Sequence, residues 1–399
     1  MSDARIPRRR VLQGGAVLAG GATLGAAAAL AATSQEPAAA APVTGGDTVP
    51  FRGVHQAGVT TPQQAHTWFV ALDLKDDAGR DGLARLLRIW TDDIERLTSG
   101  RAPLGDQERE LATVPARLTV TVGIGATGLA RAGFQDRRPA SLGPLPAFPV
   151  DRFEPGWGEA DLLLQVGADD VLTVSHAVRT LTRDARPFAT TTWVQRGFVR
   201  SRGAVPEGQT PRNLLGQIDG SIQPAADKVA ATVWVGEGPE WFHGGTMLVL
   251  RRIRLDLDRW EALGRVDRDL VLGRRLSDGA PLTGGGEKTP ADLDATDQWG
   301  LPVVPDFAHI RQARARSDDE LMLRRGYSYD DTSGDRQDAG LVFAAYVADV
   351  DRQFVPVQRR LAENDLMNRW TTPVGSAVFA ILPGTGDGPD GWLGQSLLA

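Results

Sequence analysis

Three short segments of this 399-residue chain hold side chains that could do chemistry together. The first is Phe307-Ala308-His309-Ile310-Arg311-Gln312-Ala313-Arg314-Ala315-Arg316. Its imidazole can bind a metal or carry a proton, and its arginines supply fixed positive charge beside it. A single histidine among apolar neighbours is more often a packed core residue, and spaced arginines are often a solvated face. Guanidinium forks also suit a cofactor that bears carboxylates. The second segment is Gly216-Gln217-Ile218-Asp219-Gly220. Glycines on both sides of an acid let the backbone approach a flat or bulky group, although a plain turn is the commoner meaning. The third is Leu323-Arg324-Arg325-Gly326-Tyr327-Ser328-Tyr329, which holds two of the chain's three tyrosines. Its arginine pair could serve a reaction or merely end a strand.

Composition narrows the chemistry. Cysteine is absent, which removes disulfides, thiolate catalysis, iron–sulfur clusters and Cys-based zinc sites. The five histidines (His55, His66, His176, His243 and His309) are dispersed, so a cofactor needing one protein ligand is easier to supply than a multi-histidine metal centre. Net charge is −6, and the first forty residues hold four arginines against two acids, so the remainder is acidic. An acidic body argues against nucleic acid or an anionic membrane as the main partner. No GxGxxG opens a helix after a strand, and no P-loop occurs, so nucleotide binding has no support.

Elements must bring the three segments together. Strands are expected at residues 66–74, 118–124, 161–166, 190–199 and 231–235, then at 247–257, 341–347 and 376–382, from runs rich in Val, Ile, Phe, Trp and Thr. Helical spacing predicts helices over 81–98, 177–184, 257–263 and 353–368. Irregular mixing of the two suggests an α+β fold. Residues 1–40 read as a signal peptide: Arg8-Arg9-Arg10 precede Val11-Leu12 and a Gly/Ala-rich stretch too weakly apolar for a permanent span. The arginines resemble a twin-arginine signal, with Pro7 where Ser or Thr is usual. Export of the folded chain to the periplasm or beyond is expected, with no stable membrane anchor. Residues 41–50 read as a linker.

In this order the segments resemble the dye-decolourising peroxidase family. The resemblance covers nearly all of residues 50–385. It includes Phe51-Arg52-Gly53-Val54-His55-Gln56, Trp193-Val194-Gln195-Arg196-Gly197-Phe198, Gly244-Gly245-Thr246-Met247 and Gln353-Phe354-Val355-Pro356. Gln217 stands where the family often has Phe, and Ala315-Arg316 where it has Pro-Arg. The resemblance implies two ferredoxin-like halves, over 51–215 and 216–399, related to dimeric α+β barrels, with one haem b per chain. His309 would be the iron ligand, backed by Glu363 or Asp365. Asp219 would be the acid–base group and Arg324 the distal cation, with Arg325 its rival. Gly216 and Gly220 would let the distal loop lie close to the cofactor. Leu341 and Phe343 would wall the distal side, and Arg316 and Arg311 would face the propionates.

The implied reaction reduces hydrogen peroxide and oxidises dyes, phenolics or similar reductants through a ferryl intermediate. Bulky reductants would be served through surface Trp or Tyr. Expected partners are peroxide, an organic reductant, haem, the export machinery and a second copy of the chain. A haem carrier or an iron-acquisition protein of the deferrochelatase kind is the alternative, and it has no use for Asp219 and Arg324 as a pair.

Overall fold

A computed structural model describes residues 45–206 and 209–398, so the expected export signal lies outside the described residues. Strand β1 (His66–Leu74), helix α1 (Gly79–Thr98), strands β2 (Thr119–Ile124) and β3 (Leu162–Ala168), helix α2 (Val171–Ala185) and strand β4 (Ala189–Phe198) come first. They form a sheet in the order β2-β3-β1-β4. Strand β5 (Thr246–Leu255), helix α3 (His309–Ala313), strands β6 (Leu323–Arg324), β7 (Tyr327–Asp330) and β8 (Ala339–Val347), helix α4 (Val355–Asn364) and strand β9 (Thr371–Ile381) follow. Here the order is β9-β5-β8-β7, with β6 added at β8. Strands β6 and β7 lie in one register on β8, so counted as a single interrupted strand they give both halves the same β-α-β-β-α-β arrangement, consistent with two ferredoxin-like units.

The halves close on each other. Phe198 of β4 pairs with Ser328 of β7, while Gly123 and Ile124 of β2 pair with Ile381 and Ala380 of β9. With β5 also paired to β8, the strands form one antiparallel ring. Period-two alternation then decides what lies inside. Phe69, Ala71, Leu248, Leu250, Val342, Tyr346 and Phe379 belong to one apolar cluster. Their neighbours Val70, Leu72, Met247, Val249, Ala345, Val347 and Val378 belong to another, shared with the helices. Both faces of these strands are buried, which explains their nearly unbroken apolar runs.

Helix α1 forms because Leu83, Leu86, Leu87, Trp90, Ile94 and Leu97 recur at helical spacing, and all six are buried. Each such side chain contributes roughly 1.5–3 kcal/mol on burial. Trp90 Nε1 donates to the carbonyl of Leu181 on α2 at 2.9 Å. Asp170 caps α2 by accepting from Thr173 N–H at 2.8 Å. Gly45 and Asp47, within the expected linker, accept hydrogen bonds from Ala116 and Arg117, so that stretch lies on the body.

Two expectations change. Residues 231–235 were expected as a strand, but Val229–Val233 is a short helix. Strand β8 already pairs with β5, β6 and β7, so no edge there is open to it. The Thr232 carbonyl instead accepts from Ala348 N–H and the Gln353 amide. The helix expected over 353–368 breaks at Asp365, which is extended (φ −81°, ψ 119°) and caps a following turn at Leu366–Arg369. Among the described residues no helix is long and apolar enough to cross a membrane.

A buried acidic pair joins α1 to α2. Burial, then the hydrogen bond and charge of Asp184, push the Asp93 carboxyl up to about 7. The folded chain thus holds a proton that the unfolded chain releases in the ordinary carboxylate range. Stability contributed by the neutral form is present at acidic pH and is lost as pH rises toward 7. Asp93→Asn should raise Tm by about 2–4 °C at pH 8 and leave it nearly unchanged at pH 4, checked by thermal melts at both.

Candidate active site

Helix α3 begins at His309 itself, with Ala308 extended before it. The imidazole Nδ1 lies 2.6 Å from Asp365 Oδ2. The other carboxylate oxygen, Oδ1, accepts from Met367 N–H at 2.9 Å, and Leu366 N–H donates to the Phe307 carbonyl at 3.0 Å. The helix break at Asp365 is what turns this carboxylate toward α3. A carboxylate partner makes Nδ1 the donor, which leaves Nε2 as the lone-pair nitrogen. Burial lowers the His309 pKa, but the charge and hydrogen bond of Asp365 outweigh it and raise the value overall. Asp219 raises it further and Arg324 lowers it, so all three groups lie within electrostatic reach. Glu363 is exposed and does not take this place.

Asp219 and Arg324 line one cavity of about 260 Å³ with Gly220, Gly326, Leu341 and Phe343. Asn213 Nδ2 donates to Asp219 Oδ2 at 3.2 Å. Gly220 (φ 101°) gives the loop its turn after Asp219. Gly216 (φ 76°) serves a different turn, outside the residues lining this cavity. A Cβ at Gly326 would stand 3.3 Å from Leu341 and 3.8 Å from Asp219 Oδ2, so glycine keeps this wall open. The choice between the adjacent arginines is geometric. Arg325 is buried and donates to the Thr61 carbonyl, to Gln64 and to the Tyr327 hydroxyl. Arg324 alone of the two faces the cavity.

Arg311, Arg314 and Arg316 line a second, more open cleft of about 380 Å³ with Leu293, Asp294 and Gln312. The Arg311 guanidinium donates to the carbonyls of Val304 and Leu293, so it also fastens the loop before α3. Sequence reasoning missed Asn213, Gly326 and Gln63, whose amide donates to the Gly326 carbonyl at 2.7 Å. Only the position of Asn213, six residues before Asp219, carried any signal.

The arrangement offers one imidazole with a free lone pair, a carboxylate and a guanidinium within electrostatic reach of it, and arginines at a cleft nearby. Among the described residues no group of three or more His, Asp or Glu could hold a bare metal ion. This donor set fits a flat dicarboxylate macrocycle whose metal needs one protein ligand.

Comparison with known proteins agrees. Residues 56–199 match the family described as Dyp-type peroxidase, N-terminal, and residues 210–386 match Dyp-type peroxidase, C-terminal. A dye-decolorizing peroxidase of Thermobifida fusca is 39% identical over 361 residues, covering 86% of this chain and 83% of its own. A deferrochelatase of Yersinia pestis is 36% identical, with 88% and 84% covered. The crystal structure of a DyP-type peroxidase from Cellulomonas bogoriensis superposes with a TM-score of 0.87 at 48% identity, covering 90% of this chain and 99% of that one. The chain belongs to the Dyp-type peroxidase family of enzymes.

Proposed function

We propose that this haem-dependent peroxidase holds its cofactor through His309 Nε2 and acts on hydrogen peroxide with Asp219 and Arg324. The observation that carries this reading is the His309–Asp365 bond, which commits Nδ1 and leaves Nε2 for a metal. Bound haem supplies an iron centre where peroxide is reduced and oxidising power is kept for a second substrate. The chain's own groups do the rest. Asp219, ionised, takes a proton from peroxide and returns it to the departing oxygen. Arg324 stabilises the negative charge that develops as the O–O bond opens. Leu341 and Phe343 keep excess water from the cavity. Arg316 and Arg314, which line the second cleft, would meet carboxylates at the cofactor's edge, with Arg311 mainly securing the loop.

The second substrate is an organic reductant such as a dye or phenol, reached through surface Trp or Tyr when it is too bulky for the cavity. The haem-binding half begins near residue 216. Arg8-Arg9-Arg10 and the apolar stretch after them support export through the twin-arginine route to the periplasm or beyond. Similarity to a deferrochelatase supports a second reading, removal of iron from haem. One experiment separates the two. Haem-loaded protein is mixed with peroxide and a phenolic dye, and pigments are then extracted. Peroxide-dependent bleaching with haem recovered intact supports the peroxidase. Iron-free porphyrin without bleaching supports the alternative.

A further inference from the structure

We infer that Gln223 is a positioning residue for Arg324, standing in for a missing strand at the open edge of the sheet. The inference rests on the role proposed for Arg324. Strand β6 is two residues long and ends the sheet order, pairing with β8 through Leu323 and Arg324. The backbone of Arg324 needs partners on the side away from β8. Among the described residues no strand supplies them. The Gln223 side chain does: its Nε2 donates to the Arg324 carbonyl at 2.9 Å, and its Oε1 accepts from Arg324 N–H at 3.0 Å. A carboxamide has one donor and one acceptor side by side, as a strand's peptide group would. The guanidinium is held by the same segment, since Arg324 Nη2 donates to the Ile222 carbonyl at 2.7 Å.

This segment also carries Asp219. The turn at Gly220 brings residues 222 and 223 back against Arg324, and a Cβ at Gly220 would lie 3.6 Å from Gln223 Nε2. Hence the base and the cation are registered by one loop rather than by two independent elements. Side-chain length matters: Asn would fall short by one carbon, and Glu would lose the donor and place a charge beside Arg324. Gln223→Met keeps the length and removes both bonds.

The test uses ferric, haem-loaded protein and fluoride, an anion whose binding on the distal side draws on a nearby hydrogen-bond donor. Fluoride titrations are followed by absorption for the parent, Arg324→Leu, Gln223→Met and the double variant, with Tm recorded for each. Hydrogen exchange of the peptide containing Arg324 is measured in haem-free protein. Expected is an about 5–10-fold weaker fluoride affinity in Gln223→Met, on the order of one ordinary hydrogen bond. The Arg324 amide should exchange faster, and Gln223→Met should add no further loss on top of Arg324→Leu. Fluoride affinity within twofold of the parent in Gln223→Met, while Arg324→Leu weakens it, overturns the inference and leaves the reading of Arg324 standing. Unchanged affinity in Arg324→Leu overturns both.

Discussion

His309→Ala protein mixed with hemin will lack the parent's Soret band, and its peroxide-dependent dye bleaching will fall at least about 10³-fold. Among the described residues the other histidines have partners or positions of their own. His55 stacks on Trp234 and its Nδ1 lies 2.7 Å from the Gly244 carbonyl, His176 bonds Asp106 at 2.9 Å, His243 Nε2 lies 3.2 Å from the Gly238 carbonyl, and His66 opens β1 between β3 and β4. Asp365→Ala should be milder, roughly 10–100-fold in haem affinity or activity, because the ligand survives but its orientation and basicity do not. The two variants are compared by hemin titration and by dye bleaching on the same preparations. A parent-like spectrum and rate in His309→Ala would remove the histidine from the reaction.

The second large effect belongs to the cavity. Asp219→Ala and Arg324→Leu should each slow the first peroxide-dependent spectral change by about 10²–10⁴-fold in stopped-flow mixing. Because the two groups share one cavity, the double variant should lose less than the product of the single losses. Arg325→Leu offers the contrast. Its guanidinium is spent on Thr61, Gln64 and Tyr327, so Tm should drop while the rate per folded molecule holds. Equal rate losses at 324 and 325 would overturn the assignment.

Much of this was legible in the sequence for physical reasons. Strands buried on both faces announce themselves as apolar runs, and α1 shows helical spacing over 20 residues. Asp219 could be singled out because glycines flank it, and the histidine because few compete with it. What stayed hidden depends on long-range contacts. Glu363 and Asp365 looked equivalent two residues apart; only the helix break turns Asp365 inward and leaves Glu363 exposed. Arg324 and Arg325 alternate sides of a strand, so the face each takes was decided by β8 and not by local spacing. The Val229–Val233 helix reads as β-forming by composition, and was overruled by the lack of an open edge. The residues that hold Asp219 and Arg324 in place, Asn213 and Gln223, carry no distinctive chemistry of their own.

The closed ring sets an order on synthesis. Strand β9, at residues 371–381, bridges β5 to β2. A nascent chain that has reached β8 still offers two unpaired borders, one on each half, that could capture a neighbouring molecule. Closure of the ring therefore waits until residues 371–381 have left the ribosome. Shielding of the growing chain until then, rather than the speed of any single half, should govern how much of it reaches its finished form.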